Sequence, residues 1–538
     1  MPAAAIDYRN TGYFSPLICD YLDQKSTLAP FYHRFPSIDN LIAQAQEKGK
    51  AFNHLSGSGM AKLREQLSEA LLKQYKDIDT SDATLEHIKA LQQANSYTIT
   101  TGHQLNLFTG PLYFLYKIIS VINLTKKLNS QDPERSYIPI YWMATEDHDF
   151  EEINYFNFKG AKIQWNKEAA GPVGQLNTDG LTEVFELFAA QLGSSTNAKT
   201  LISLFEKSYL EHDTLTAATR FLANSLFKEY GLVIVDGDDP ALKALFAPYI
   251  KQELLEGISH QQVSAQTERL TSLGYPEQVF PREINLFYIK AGLRERLIKE
   301  DGRYRVNNTP LSFDRDEILQ EVAAHPERFS PNALLRPLFQ EVMLPNICYI
   351  GGGGELAYWF QLKTLFESVG VPFPVLLLRN SALLRTQKHL EKTQRLQVSD
   401  AQLFLKQNEL INQKIRQISN LEIDFSDQRA FLREQFKAMY LIAEETDPSF
   451  VGAVKAQEVK QLKGLDHLEH RLLKAQKRKL QDQVQRLVDL QNEVFPMQSL
   501  QERNTNFSEF YLEYGETLIP ELVESLDPLA GHFTLITL

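Results

Sequence analysis

Polar side chains follow several apolar runs of the sequence, at the points where those runs end. The first group is Gly102-His103-Gln104, which comes directly after the β-branched run 97–101. In open α/β sheets, ligands bind at the carboxyl ends of strands, and glycine lets the backbone approach them closely. We interpret His103, Gln104 and the next helix N-terminus as donors to an anion, with Lys117 adding positive charge. An ordinary strand-to-helix turn explains these residues equally well.

The second group is acidic and follows the apolar run 137–144. Crowded carboxylates raise one another's pKa, and an amine or a metal ion among them relieves the repulsion. We take Asp147, His148 and Asp149 as the candidate catalytic residues: the aspartates would hold an amine and His148 would accept its proton. Glu151 and Glu152 fit a solvated helix start. The spacing matches no familiar ligand set, so we expect no dedicated metal site.

The third group surrounds four consecutive glycines, 351–354, which lie between a predicted strand and a predicted helix. Such glycines can form a backbone cradle for a ligand, although neither a Walker loop nor the dinucleotide-binding pattern is present. Tight packing of the strand against the helix explains them nearly as often. The candidate binding residues of this group are Asn332, Arg336, Gly353, Gly354, Glu355 and Tyr358.

Other chemistries lack support in the sequence. No Gly-x-Ser-x-Gly elbow is present, which leaves acyl transfer through serine unsupported. Cys19 and Cys348 lie in apolar runs, so we expect buried, inert thiols. A net charge of -12 argues against general nucleic-acid binding. The sequence contains no apolar stretch of about 18 residues, so no membrane span is predicted. Residues 1–7 do not resemble a signal peptide. We therefore expect a cytoplasmic protein.

The elements that position these groups predict a doubly wound α/β core. Strands are expected at 97–101, 137–144, 232–236, 347–350 and 373–378, and helices follow them. Thr109 is expected to cap the helix after the first strand, with Pro111 in its first turn. Repeated strand-to-helix steps imply a parallel sheet.

Residues 383–500 differ from the core in being poor in glycine and rich in Gln, Lys, Leu and Glu. Leu473, Leu480, Leu487 and Val494 recur at intervals of seven, which predicts a coiled coil. We expect an antiparallel helical hairpin that closes near 447–448. Ser399 and Gln402 form a candidate capping box.

The units are predicted as a helical part of the core at 1–95 with a loop at 55–59, a first Rossmann-like half at 96–164, an insertion at 165–215, a second half at 216–382, the coiled coil at 383–500, and a returning tail at 501–538.

Longer motifs resemble those of a known family. TTGHQLNLFTGPLYFLYKIIS (100–120), YWMATEDHDFEEIN (141–154), ALLRPLFQEVMLPNICYIGGGGELAYWFQLK (333–363) and YRNTGYFSPLICDYL (8–22) are similar to the bacillithiol biosynthesis cysteine-adding enzyme family. The resemblance covers essentially the whole chain. One departure is His103, where many members of the family carry glutamine.

This resemblance implies a Rossmann-like core related to class I nucleotidylyltransferase folds, with connecting-peptide insertions and a coiled coil that supports a homodimer. It implies a ligase that joins the carboxyl group of cysteine to the amine of glucosaminyl malate, the last step of bacillithiol formation. ATP or ADP is the expected nucleotide, with Mg²⁺ only as its companion, in a pocket near the coiled coil. The expected partners are these small molecules, with no nucleic acid and no membrane.

Two other functions remain open at this point. A nucleotidylyltransferase would adenylate a small acid and release pyrophosphate without using cysteine. A non-enzymatic coiled-coil adaptor would bind no small molecule, and polar clusters at three strand ends count against it. The ligase hypothesis requires all three groups to converge in one cleft.

Overall fold

The computed structural model describes residues 4–54 and 59–538, so residues 55–58 of the loop expected at 55–59 lie outside the described residues. In chain order the strands are β1 (Ala4–Ile6), β2 (Ser96–His103), β3 (Ser136–Met143), β4 (Tyr155–Phe158), β5 (Ala161–Gln164), β6 (Val233–Asp236), β7 (Leu286–Lys290), β8 (Leu293–Glu300), β9 (Arg303–Val306), β10 (Ser312–Phe313), β11 (Phe329–Pro331), β12 (Asn346–Gly351), β13 (Val375–Leu378), β14 (Ala382–Arg385) and β15 (Phe533–Thr537).

The helices are α1 (Tyr8–Thr11), α2 (Pro16–Leu22), α3 (Ile38–His54), α4 (Gly59–Gln74), α5 (Asp82–Ala90), α6 (Tyr113–Gln131), α7 (Phe150–Ile153), α8 (Leu181–Leu192), α9 (Thr196–Tyr209), α10 (Leu215–Phe227), α11 (Pro240–Glu256), α12 (Ile258–Ser272), α13 (Arg315–Ala324), α14 (Arg336–Met343), α15 (Gly353–Trp359), α16 (Lys363–Ser368), α17 (Gln387–Arg395), α18 (Asp400–Leu403), α19 (Gln407–Ile418), α20 (Ser426–Glu444), α21 (Pro448–Lys479), α22 (Gln481–Val494), α23 (Gln501–Asn504), α24 (Phe507–Tyr514) and α25 (Leu518–Ser525). Across the described ranges, no helix is both long enough and apolar enough to cross a bilayer.

A five-stranded parallel sheet forms the centre of the core, with the order β13-β12-β2-β3-β6. Counted along the chain, its strands lie in the order fifth, fourth, first, second, third, which is the Rossmann arrangement. The residues of β2 and β12 are buried throughout, as expected of a sheet covered on both faces. The predicted α/β fold class with a Rossmann-like core is therefore confirmed.

The connection from β2 to α6 differs from the prediction. Thr109 does not cap the helix: it lies in a 3-10 turn with φ 68°, and α6 begins at Tyr113 without a side-chain cap. The C-terminal segment holds this connection instead. The Leu112 amide donates to the Thr505 carbonyl at 2.9 Å, and Asn506 Nδ2 donates to the carbonyls of Phe108 and Gly110 at 2.8 and 2.6 Å. These contacts outweigh the local capping preference.

A second five-stranded sheet, entirely antiparallel, lies within the segment predicted as the second Rossmann-like half. Its order is β10-β9-β8-β7-β11. The turn between β8 and β9 contains Asp301 and Gly302, both with positive φ, as a tight hairpin requires. This sheet was not predicted, and it supplies one side of the site described below.

Helices α20 and α21 form the predicted antiparallel hairpin, and α21 begins at Pro448 with Asp447 as its N-cap. Arg429 Nε donates to Asp466 Oδ1 at 2.9 Å near one end, and the Tyr440 hydroxyl donates to Glu458 Oε2 at 2.9 Å nearer the turn. The capping box of Ser399 and Gln402 is also present. The coiled-coil part of the prediction is confirmed.

The heptad residues do not form the seam of that hairpin. Leu480 separates α21 from α22, and Leu473, Leu487 and Val494 are buried in the main hydrophobic cluster. Helix α22 packs on α19, α17 and β14. The apolar repeat therefore reflects packing against the core.

The C-terminal segment is joined to the core by strand pairing and by a buried ion pair. Strand β15 pairs antiparallel with β1 and parallel with β14. Arg379 Nη2 donates to Glu502 Oε1 at 2.7 Å, with side chains 5% and 1% exposed. The other carboxylate oxygen of Glu502 accepts from the Ala382 amide at 3.0 Å.

Replacing Glu502 by Gln should destabilise the protein by about 3 kcal/mol, because a buried arginine would lose its charged partner. Urea unfolding followed by tryptophan fluorescence measures the change. As a matched control, Glu434→Gln breaks the Lys437–Glu434 pair, in which both side chains are 72% exposed, and should change stability by less than about 0.5 kcal/mol. Equal effects of the two substitutions would contradict a structural role for the buried pair.

Candidate active site

A cavity of about 350 Å³ lies at the carboxyl ends of β2, β3 and β12. Strands β2 and β12 are neighbours at the point where the order of the sheet reverses, and ligands of doubly wound folds bind at this position. Residues predicted for the site line the cavity from all three groups: Gly102, His103, Gln104, Lys117, Asp147, Asn332, Arg336, Glu355 and Tyr358. The structure thus brings the three sequence groups together.

Four predicted residues do not line this cavity. His148 and Asp149 lie just beyond it, with side chains 46% and 56% exposed. Gly353 packs against α2: a Cβ atom on it would lie 3.4 Å from Ile18 Cγ1. Gly354 has no neighbouring heavy atom within 4 Å of a Cβ position, so sterics do not explain that glycine.

The sequence analysis missed several lining residues: Tyr113, Trp142, Met143, Ala144, Thr145, Glu146, Arg294, Pro331, Ala333 and Tyr349. Arg294 is the most informative of them, because it belongs to β8 of the unpredicted antiparallel sheet. The Asp301-Gly302 dipeptide, followed by the alternating segment 303–306, was the signal that could have revealed that sheet.

An ion pair between Lys117 and Glu355 lies at the centre of the site, with its nearest atoms 2.5 Å apart. Lys117 Nζ also donates to the Gly102 carbonyl at 2.7 Å. Glu355 accepts from the Tyr349 hydroxyl at 2.7 Å and from the Gly352 amide at 3.1 Å. Burial raises the pKa of Glu355, but Lys117 and these donors more than offset it and leave the pKa below its usual value.

Arg336 extends from the first turn of α14, where Pro337 is tolerated because no helical N–H is needed. Its guanidinium donates to Gln340 Oε1 at 3.1 Å and to the Tyr358 hydroxyl at 3.3 Å. Among the described residues, no carboxylate lies within 4 Å of it. Arg336 is therefore oriented by neutral partners, and its charge is left for a ligand.

Arg294 approaches from the opposite sheet and also lacks a carboxylate within 4 Å among the residues the structure describes. Its guanidinium carbon lies 3.8 Å from the Phe287 ring centre, and Nη1 lies 2.7 Å from His148 Nδ1. A guanidinium can only donate, so His148 Nδ1 accepts and a neutral His148 carries its proton on Nε2. Burial lowers the pKa of Arg294, and nearby carboxylates, Glu146 first, oppose that shift.

Two carboxylates form the acidic wall of the cavity. Glu146 lies 2.7 Å from Lys243 Nζ, and burial raises its pKa. Asp147 accepts from Gln104 Nε2 at 2.9 Å and from the His148 amide at 2.8 Å. Burial raises the pKa of Asp147, but these hydrogen bonds outweigh burial and the net pKa is well below normal. Asp147 is therefore a stable anion suited to holding an ammonium group.

Asp147, His148 and Asp149 offer ligand atoms that all lie within 4.8 Å of one another. The Arg294 guanidinium already contacts His148, and its positive charge opposes a divalent metal ion here twice as strongly as a singly charged ammonium group. The residues around the cavity are thus better suited to an amine at Asp147 and to an anion at the arginines.

His103 is only 7% exposed, and its Nε2 has no hydrogen-bond partner among the described residues. Its ring packs at 5.4 Å from Tyr113 and at 5.1 Å from Phe114. Burial, together with the charges of Lys117 and Arg379, lowers its pKa well below 6.5. The imidazole is therefore neutral in the folded protein at neutral pH.

This neutral His103 should make the protein less stable in acid. Below pH about 6.5 the unfolded chain binds a proton on this imidazole and the folded chain does not, so stability falls as pH falls. Between pH 7.5 and pH 5.5 the wild type should lose about 1 kcal/mol more than the His103→Gln variant. Urea unfolding at both pH values measures this difference, and identical pH dependence in the two proteins would disprove the assignment.

Comparisons with known proteins agree with this architecture. Residues 1–380 match the family model described as "Bacillithiol biosynthesis BshC, N-terminal Rossmann-like domain". Residues 382–538 match the model described as "Bacillithiol biosynthesis BshC, C-terminal coiled-coil domain".

Full-length relatives carry the printed name "Putative cysteine ligase BshC". The protein from Christiangramia forsetii is 58% identical over 541 residues, covering 100% of this chain and 99% of the relative. That from Flavobacterium johnsoniae is 56% identical over 538 residues, with 100% of both chains covered. The family models and these relatives together span the whole chain, and the protein therefore belongs to the bacillithiol biosynthesis BshC family.

Proposed function

We propose that this protein is a ligase that joins the carboxyl group of cysteine to the amine of glucosaminyl malate, the last step of bacillithiol formation. The relatives named as cysteine ligases support the cysteine part of this proposal. The observation that carries it is the charge arrangement of one cavity. Arg294 and Arg336, which contact no carboxylate in the part of the chain that the structure describes, share it with Glu146 and Asp147.

This arrangement suits the joining of an acid to an amine. Arg336 and Arg294 would hold the anionic groups of the activated acid, since guanidinium binds carboxylate and phosphate oxygens by paired hydrogen bonds. Asp147 would hold the amine as an ammonium ion. The amine must lose a proton before it attacks the acyl carbon. Glu146, whose pKa is raised, would accept that proton, or His148 would accept it on Nδ1 once Arg294 turns from that nitrogen to the anionic substrate.

Amide formation from a free carboxylate also needs activation, for which ATP is the natural source of energy. The nucleotide would supply a good leaving group on the cysteine carboxyl carbon, with Mg²⁺ only as its companion. Both cysteines of the chain are free and buried, which suits a reducing compartment, and we place the reaction in the cytoplasm.

Three substitutions test the site. Arg336→Met should lower kcat by about 10²-fold or more, because a fixed donor to the developing charge is lost. Asp147→Asn should raise KM for the amine substrate about tenfold or more, because a charged hydrogen bond is lost. His148→Ala should lower kcat about 10²-fold or more if His148 is the base. Bacillithiol is measured by mass spectrometry of the thiol product.

Glu151→Gln is the matched control for these variants, because Glu151 belongs to the same acidic segment, is exposed and does not line the cavity. It should retain wild-type kinetics. Wild-type rates in Arg336→Met and Asp147→Asn would rule out the assigned cavity. A wild-type rate in His148→Ala alone would transfer the role of base to Glu146.

An assay with each substrate omitted separates the ligase from a nucleotidylyltransferase. The ligase should release phosphate, or pyrophosphate and AMP, in amounts equal to the bacillithiol formed when cysteine, glucosaminyl malate and ATP are all present. Release of pyrophosphate at full rate without cysteine would instead favour adenylation of a small acid.

The helical hairpin would join two copies of the chain. It exposes large apolar side chains to solvent, including Phe431 at 74%, Met439 at 45% and Ile442 at 62%. Phe431 and Ile442 are eleven residues apart in α20, about three helical turns, so they share one side. Exposed apolar groups that are aligned in this way favour association with a matching surface.

Replacing both Phe431 and Ile442 by Glu should convert a dimer into monomers, because charged groups would be buried in the interface. Light scattering coupled to size exclusion measures the mass. The control is Leu187→Glu, since Leu187 is 59% exposed on α8, outside the hairpin. A wild-type protein that is monomeric at micromolar concentration would refute this dimer.

A further inference from the structure

A second cavity, of about 310 Å³, lies beside the main one. Gln104 and Tyr113 line both cavities and form the partition between them. The far wall comes from the C-terminal segment, through Arg503 and Asn504 of α23. Small-molecule sites usually measure about 300–1,000 Å³, so the main cavity alone is small for two co-substrates. The two cavities together provide room for a longer molecule.

The partition is fixed by hydrogen bonds. Gln104 Nε2 donates to Asp147 Oδ2 in the main cavity and to Glu152 Oε2 in the second cavity, each at 2.9 Å. Both amide hydrogens are used, so the side chain is held in one position. Because Gln104 lines both cavities and is bonded to Asp147, a molecule that occupies both would lie against Gln104 with one end close to Asp147.

Arg503 carries an available positive charge at the second cavity. It is exposed, and among the described residues its guanidinium has neither a carboxylate within 4 Å nor a hydrogen-bond acceptor. An exposed guanidinium in a concave site is well suited to a carboxylate, which it can bind through two hydrogen bonds. The distal group of the bound molecule is thus expected to be anionic.

Asn106 adds a neutral polar contact to the same cavity. It is 7% exposed, and its Nδ2 donates to the Glu152 carbonyl at 3.3 Å. Its Oδ1 has no donor among the described residues. A buried acceptor without a donor is unfavourable. Because Asn106 lines this cavity, rotation of its amide toward the cavity would let a ligand hydroxyl donate to it.

We propose that the second cavity binds the carboxylate-bearing aglycone of the amine substrate. A carboxylate binds Arg503 and a sugar hydroxyl lies near Asn106, while the amine, on the ring carbon next to the glycosidic carbon, lies beside Gln104 and faces Asp147. This inference rests on the proposed function and adds to it the orientation of the substrate: the sugar spans the partition, and the malate carboxylates lie against the C-terminal segment.

Titration calorimetry on the full chain tests this orientation with two probes. Glucosaminyl malate carries the malate carboxylates, and the methyl glycoside of glucosamine lacks them. Arg503→Gln should weaken binding of glucosaminyl malate about tenfold or more, because a charged hydrogen bond is lost. Binding of the methyl glycoside should be unchanged. Arg433→Gln, which removes an exposed arginine of the hairpin, should affect neither probe.

Three results would overturn the orientation: unchanged binding of glucosaminyl malate by Arg503→Gln, equal weakening of both probes, or no binding of glucosaminyl malate by the wild type. Bacillithiol formation is measured in parallel on the same samples. Wild-type protein that binds glucosaminyl malate in an Arg503-dependent manner but forms no bacillithiol would refute the ligase function and retain the subsite. Thermal melts confirm that the variants are folded.

Discussion

The ion pair between Lys117 and Glu355 is the contact on which the crevice depends. It joins the helix after the first strand of the sheet to the glycine-rich turn after the fourth. Both charges are compensated locally, by each other and by the Gly102 carbonyl, the Tyr349 hydroxyl and a backbone amide. Removing one partner would leave an uncompensated charge in a low-dielectric site. The pair therefore holds the ends of the two strands close together. The charges of the arginines and of the other acidic residues in the cavity are not used for this and stay available to a ligand.

Two other charges around the crevice, those of Arg294 and Arg336, are not neutralised by a direct ion pair among the described residues. Arg294 and Arg336 are oriented by a histidine, a glutamine and a tyrosine, and the carboxylates nearby act on them without direct contact among the described residues. Holding like charges in place before a ligand arrives lowers stability, but it removes the need to reorganise them during a reaction. The rigid parallel sheet and the buried Arg379–Glu502 pair supply the stability that such a site requires.

Local pattern was sufficient to predict the parallel strands and to place polar residues at their ends, because buried parallel strands are continuous apolar runs. Long-range contacts were not predictable in this way. Asn506 replaces Thr109 in organising the start of α6, and Arg294 reaches the cavity from β8, a strand in which most residues are charged. The four glycines look alike in sequence, yet Gly353 contacts Ile18, a distinction that only the tertiary structure makes. The heptad repeat was similarly ambiguous, since core packing and coiled-coil packing use the same spacing.

The three-stranded sheet β1-β15-β14 has a consequence for the order of folding. Residues 4–6 pair with residues 533–535, so this sheet can form only after nearly the entire chain described here has been synthesised. The same late segment supplies Asn506 and Arg503 to the neighbourhood of the crevice. Contacts between such distant residues form slowly because loop closure is entropically unfavourable. A nascent chain that still lacks this late segment would thus hold an incomplete crevice, and competence to bind would be acquired only once the segment has been made and has packed on the core.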